Sequence, residues 1–194
     1  MQPDVQAAKT TLRKQIHGAL QKIFPAARNA LSAQARNRLK EHAFWKNAAT
    51  VLFFAPLPDE LDVWPLLEDA LANKKTAALP RFESASNGYV ACRVQNLRSE
   101  IVTGQFGIRE PGAKSVEIPL NRLDLVLVPG VAFDLQGRRL GRGRGFYDRL
   151  LADVDAIKCG IAFDEQMVKE IPTGPRDVRL NFILTPTRCA EIAD

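Results

Sequence analysis

Between Gly137 and Gly145 the chain interleaves Gly137, Gly141, Gly143 and Gly145 with Arg138, Arg139, Arg142 and Arg144. Guanidinium groups at this density can neutralise a polyphosphate, each offering two N–H donors at once. The glycines let the backbone come close enough for its own N–H groups to join them. The preceding segment, Leu125–Val128, is wholly apolar, too short for a helix and stopped by Pro129-Gly130, so it reads as a fully buried strand. The following residues, Phe146-Tyr147-Asp148-Arg149-Leu150-Leu151, read as the start of a helix. Strand, glycine loop and helix together present backbone N–H groups and a helix N-terminus to an anion.

The spelling of the loop excludes the common nucleotide motifs. No Gly-Lys-Ser/Thr occurs anywhere, so there is no Walker loop, and Gly141-x-Gly143-x-Gly145 is not GxGxxG. From residue types alone two other readings stay open. One is a flexible, solvated loop without a ligand. The other is a single-stranded nucleic-acid site with Phe146 and Tyr147 as stacking platforms, although these aromatics stand to one side of the arginines.

Pro129-Gly130, Phe133-Asp134, Gly137, Arg139-Leu140-Gly141, Gly143, Gly145 and Phe146-Tyr147-Asp148 together form a longer pattern. That pattern resembles the characteristic segment of the 5-formyltetrahydrofolate cyclo-ligases, also called methenyltetrahydrofolate synthetases. The resemblance extends at varying strength over about three-quarters of the chain, and includes Lys9-x-x-Leu12-Arg13, Asp59-Glu60-Leu61, Leu79-Pro80-Arg81 and Gly107-Ile108-Arg109-Glu110-Pro111.

The resemblance implies an ATP- and Mg²⁺-dependent closure of 5-formyltetrahydrofolate to 5,10-methenyltetrahydrofolate, with ADP and phosphate released. It implies ATP contacts from Lys9, Arg13, Arg139, Leu140, Gly141, Arg142, Gly143, Arg144, Gly145, Phe146 and Tyr147. The folate would meet Ala55, Glu60, Gly143, Gly145 and Phe146; Arg142, Arg144 and Tyr147 would serve the chemical step, and Asp148 the metal. Chemically these roles are sensible. Lys9 and Arg13 are four residues apart and share a helix face, so they could share an anion, though both are also ordinary solvated helix charges. The Glu60 carboxylate can take two N–H donors of a pterin, while Asp59, Glu60 and Asp62 would equally suit a helix start. A single Asp148 suffices for magnesium, which keeps waters and phosphate oxygens; as a plain residue it is a helix-start aspartate. Arg81 is a further phosphate candidate, and Gly107–Pro111 belongs beside the cleft without a chemical step. The family commonly has a Glu two or three residues before Asp177, where this chain has Gly174 and Pro175, so a second metal carboxylate is missing unless Asp177 substitutes.

Composition sets the outer bounds. At 194 residues, with 46% apolar and 25% charged residues, the chain suits one domain able to bury around 70% of its unfolded surface. The net charge of +5 is not gathered into a basic tail and suits an anionic small molecule at least as well as nucleic acid. No apolar run reaches a membrane span and the N-terminus lacks a signal-peptide core. Cys92, Cys159 and Cys189 are odd in number and show no CxxC, which favours reduced thiols and a cytoplasmic setting. His17 and His42 read as surface or packing residues far from the glycine loop. Nothing demands an oligomer, so a monomer without nucleic-acid or membrane partners is expected. A nucleic-acid module, or a phosphosugar-type enzyme on a similar sheet, is the competing reading.

Helical periodicity marks Val5–Phe24 through Leu12, Ile16, Leu20 and Ile23, a second helix from Ser32 to about Trp45, and Asp62–Asn73. Strand patterns mark Thr50–Ala55, Thr76–Arg81, Gly88–Val94, Leu125–Val128, Ile157–Phe163 and Leu180–Thr185, with a short helix over Glu165–Lys169. Arg98–Asn121 is Gly/Pro-punctuated and has no clear assignment. This alternation predicts a single α/β domain, a mostly parallel sheet with helices on both faces in three α/β/α layers. Ligands of such sheets sit beyond the carboxyl ends of the strands, where Asp59-Glu60, Arg81 and the glycine loop would converge.

Overall fold

The computed structural model describes residues 3–172, 174 and 177–193; Pro175 lies outside the described residues. The first helix, α1 (Pro3–Leu20), is followed by α2 (Pro25–Glu41) and α3 (Ala43–Asn47). The chain then enters β1 (Thr50–Leu52), crosses through α4 (Trp64–Ala72), and returns as β2 (Thr76–Glu83), which turns into β3 (Gly88–Val94). A small hairpin follows, β4 (Ile101–Thr103) with β5 (Arg109–Pro111). The central strand β6 (Leu125–Val128) leads into a second hairpin, β7 (Ala132–Phe133) with β8 (Arg139–Leu140), and then α5 (Phe146–Ala152). The chain closes with β9 (Ile157–Ile161), β10 (Phe182–Leu184) and β11 (Cys189–Glu191).

Seven strands form one sheet in the order β11-β10-β9-β6-β1-β2-β3. The pairings β10–β9, β9–β6, β6–β1 and β1–β2 are parallel, and the edge strands β11 and β3 run antiparallel. Alternate side chains of a strand face opposite sides. Accordingly Val51, Phe53, Leu125 and Leu127 pack with α1 to α4, whereas Leu52, Val126 and Val128 pack with Leu150, Leu151 and Val154 around α5. The four residues of β6 are completely buried, each contributing about 1.5–3 kcal/mol on transfer from water. The layered, mostly parallel α/β architecture matches the sequence expectation.

Local boundaries differ for identifiable reasons. The first helix stops at Leu20, before Phe24, because Pro25 holds Phe24 extended (ψ 149°) and itself opens α2. Ser32 therefore lies inside α2, buried, its Oγ accepting the Asp62 N–H at 3.2 Å. An extended His42 separates α2 from α3. Helix α4 begins at Trp64, whose N–H is accepted by Asp62 Oδ1 at 3.0 Å, so Asp62 precedes the helix. The expected helix over Glu165–Lys169 is only a 3₁₀ turn at Asp164–Gln166. Strand β2 runs two residues past Arg81, and the hairpins β4–β5 and β7–β8 and strand β11 carry no sequence signal strong enough to mark them. No helix among the described residues is long and apolar enough to cross a membrane.

Candidate active site

At the carboxyl ends of the parallel strands lies a cleft of about 320 Å³. The turn after β1 supplies Ala55 and Glu60, the end of β6 supplies Pro129 and Gly130, and the glycine loop supplies Gly141, Arg142, Arg144 and Gly145. Arg139, Phe146, Tyr147 and Asp148 complete that side, and the β4–β5 hairpin brings Phe106, Ile108, Arg109 and Glu110 to the opposite rim. Gly130 is forced to be glycine, since a Cβ there would stand 2.6 Å from the Phe133 ring. Gly145 adopts φ +67°, a left-handed turn that ends the loop and opens α5.

A second cavity of about 210 Å³ adjoins the first, lined by Arg13, His17, Asp59, Val131 and Gln166. Glu60, Gly130 and Arg142 border both spaces. Arg142 Nη2 donates to Asp59 Oδ1 at 2.7 Å and to Glu60 Oε1 at 3.1 Å, while Glu60 Oε2 accepts the Leu57 N–H at 3.0 Å. Burial pushes the Glu60 carboxyl above the ordinary range, opposed by the Leu57 N–H and the Arg142 charge. Arg13 Nε donates to the Gly141 carbonyl at 2.9 Å, fastening α1 to the loop.

The expected arginines divide. Arg138 turns away from the cleft to Asp134, at 2.7 Å, and to Glu170. Arg139 is 4% exposed; Nη1 donates to the Pro129 carbonyl, Nη2 to Asp148 Oδ1, and its buried Nε has no partner. Such an orphaned donor beside a cleft suits an anionic oxygen. Arg144 lies over the Phe106 ring at 4.3 Å. Phe82, Tyr89, Phe106 and Phe146 form one aromatic cluster, with Phe106 and Phe146 stacked at 5.6 Å and Tyr89 5.8 Å from Tyr147. Burial raises the Tyr147 phenol well above its ordinary value, so at neutral pH it is a hydrogen-bond donor and not a base.

Several expectations change. Leu140 lines neither cavity; its side chain is 2% exposed in the core and its carbonyl accepts the Val131 N–H at 2.7 Å. Lys9 likewise lines neither, being buried against Asp177 at 2.8 Å, so it does not share a partner with Arg13. Asp177 Oδ2, which takes Lys9, also accepts the Gly174 N–H at 2.7 Å. Arg81 bonds Glu117 at 2.6 Å outside the cleft wall, because its strand continues past it. His17, expected far from the loop, borders the second cavity with Arg142. Conversely Phe54, Tyr89 and Phe106 line the cleft without a sequence signal of their own, and of Leu79-Pro80-Arg81 it is Pro80 that lines it. Only the Gly107–Pro111 segment had pointed to that rim. Cys92, Cys159 and Cys189 are free thiols outside both cavities.

Among the described residues no group of three or more His, Cys, Asp or Glu side chains is placed to hold a metal. Asp148, 24% exposed on the cleft wall with Oδ1 on Arg139, is a single carboxylate suited to a magnesium that keeps phosphate and water ligands.

The model of the 5-formyltetrahydrofolate cyclo-ligase family matches residues 5–186. The chain is 34% identical to the 5-formyltetrahydrofolate cyclo-ligase of Escherichia coli K12 over 173 residues, covering 87% of this chain and 95% of that one. It is 26% identical to the mouse protein of the same name, over 93% and 94% of the two chains. Its fold matches that of 5,10-methenyltetrahydrofolate synthetase from Aquifex aeolicus with a TM-score of 0.86 and 32% identity, covering 96% of this chain and 93% of that one. The cleft, the glycine loop and strands β1 to β10 thus sit within one matched region: this chain belongs to the 5-formyltetrahydrofolate cyclo-ligase family.

Proposed function

We propose that this chain converts 5-formyltetrahydrofolate to 5,10-methenyltetrahydrofolate at the expense of ATP, with Mg²⁺ bound to the nucleotide. The observation that carries this reading is the pair of adjoining cavities that share Glu60, Gly130 and Arg142, the larger walled by aromatics together with Arg109, Arg139 and Arg144, the smaller lined by Arg13, His17 and Asp59. The folded pterin fits the aromatic side, its N–H donors on Glu60 and its ring against Phe146. The triphosphate fits the second cavity beside Arg13 and His17, its terminal phosphate reaching past Arg142 to Arg144 and the backbone of Gly141 and Gly145 in the first; Gly143 lines neither cavity. Arg142 stands where the two substrates would meet.

In this reading the formyl oxygen on N5 attacks the γ-phosphorus and ADP leaves. N10 then adds to the activated formyl carbon, its proton is lost, and phosphate departs as the ring closes. Phosphoryl transfer of this kind depends on alignment and charge neutralisation more than on a strong base. Arg142 and Arg144 supply positive charge, and Tyr147 a neutral hydroxyl for a developing oxyanion. Magnesium would neutralise charge on the phosphate oxygens, with Asp148 as its protein ligand. Leu140 and Lys9 then serve the site through the loop and helix they anchor.

The test is direct: 5-formyltetrahydrofolate, Mg²⁺ and protein are mixed, and the absorbance of methenyltetrahydrofolate is followed with and without ATP. Product that forms only with ATP supports the reading; no product with both substrates present removes it.

A further inference from the structure

Arg142 and Glu60 occupy each other. Arg142 contacts Glu60 Oε1 through both Nε (3.3 Å) and Nη2 (3.1 Å), and the other Glu60 oxygen is held by the Leu57 N–H. The Glu60 side chain is 10% exposed, whereas that of Arg142 is 46% exposed and reaches into both cavities. Under the function proposed above, the pterin needs Glu60 as an acceptor and the phosphates need Arg142 as a donor. Neither ligand can take its group at full strength while the ion pair is intact.

We infer that this ion pair is an exchange contact that couples the two substrates. Pterin N–H donors arriving at Glu60 Oε1 satisfy the buried carboxylate and release Nε of Arg142, and the one N–H of its Nη2 that Asp59 does not hold, toward the phosphates. Phosphate oxygens taking Arg142 release Oε1 toward the pterin. Each ligand removes a contact that the other would otherwise have to break, so each strengthens the other, and by linkage the factor is the same in both directions. Asp59, 29% exposed, retains its 2.7 Å hold on Nη2 through the exchange. It is a positioning residue that keeps the released guanidinium at the border between the cavities instead of in solvent.

The experiment is calorimetric binding of the β,γ-imido analogue of ATP, with Mg²⁺, in the absence and presence of saturating 5-formyltetrahydrofolate. The wild-type chain should bind the analogue about 5- to 100-fold more tightly with folate present, the usual span of site-to-site coupling. Glu60→Gln should bind the analogue more tightly than wild type when folate is absent, and saturating folate should then add little. Asp59→Asn also removes one negative charge near the phosphates, yet it keeps Glu60 and should keep the coupling. That contrast separates exchange from a general change of charge. Asp59→Asn should in addition lower kcat more than it changes KM for ATP. Independent binding in the wild-type chain, or full coupling in Glu60→Gln, overturns the inference while leaving the proposed function standing. Failure of the wild-type chain to bind either ligand overturns both.

Discussion

Arg142 donates to Glu60 across 82 residues of sequence, joining the glycine loop after β8 to the turn after β1 at 3.1 Å. The contact brings the basic loop and the turn after β1 to one point, the border of the two cavities. Under the proposed function both substrates would meet at that convergence.

The pH dependence follows from Glu60. Burial raises its carboxyl, so in the free protein the folded state holds the proton more tightly than the unfolded state. Between the ordinary and the raised value the folded state binds more protons, and stability falls as pH rises through that window. Under the proposed function the pterin takes Glu60 as an anion, so the acid limb of kcat/KM for folate should lie above the ordinary carboxylate range. Glu60→Gln should remove that limb and weaken folate binding by about 1.5–3 kcal/mol. A pH series on both proteins checks this; superimposable acid limbs contradict it.

Arg144 is exposed and rests on Phe106 at 4.3 Å. Arg144→Ala should cost less than about 1 kcal/mol of stability, the scale of an exposed cation–π contact. Its apparent constant for ATP should rise, or its turnover fall, by about tenfold. Unchanged kinetics would detach the loop from ATP.

Asp148 carries two tasks, since it also pairs with the nearly inaccessible Arg139. Asp148→Asn should shift the Mg²⁺ titration at saturating ATP to higher concentration and lower turnover. It should also cost about 1–3 kcal/mol of stability, because Arg139 loses its charged acceptor. Superimposed Mg²⁺ titrations would leave the metal to ATP and water alone.

Tyr147→Phe isolates a neutral donor. With its phenol held protonated by burial, loss of the hydroxyl should lower kcat by about tenfold, the equivalent of one hydrogen bond. No alkaline limb assignable to Tyr147 should be present in the wild-type profile below pH 9. An alkaline limb that vanishes in the Phe variant would assign it a base role instead.

Asp134, by contrast, is a fold residue. Completely buried, it accepts from the N–H groups of Gln136, Arg138 and Ile171 and from the Arg138 guanidinium. Asp134→Ala should cost about 3 kcal/mol or more, measured by denaturant unfolding.

What was legible in the sequence follows from how local each signal is. The run Leu125–Val128 and the spacing of Leu12, Ile16 and Leu20 report burial directly, and the structure places all of them in or against the core. Pro25 was the better helix-start signal than Ser32, because proline restricts backbone geometry whereas a serine can be buried inside a helix. The glycine loop was recognisable as a site because glycines and arginines concentrate in nine residues. Tyr89 and Phe106 were not, since an aromatic on an edge strand or hairpin faces a cleft only through tertiary placement. Nor was the Lys9–Asp177 pair, whose partners are 168 residues apart and share no periodicity. The same holds for the division of the arginines: sequence shows four, while only folding turns Arg138 toward Asp134 and Arg142 toward Glu60.

The central claim of the proposed function is that a phosphoryl group passes from ATP in the second cavity onto the formyl oxygen held in the first, at Arg142. The most direct measurement uses 5-formyltetrahydrofolate labelled with ¹⁸O in the formyl group, turned over with unlabelled ATP. Mass analysis of the released phosphate should then show one ¹⁸O in each phosphate, in step with the methenyltetrahydrofolate formed. Unlabelled phosphate accompanying ring closure would contradict the account.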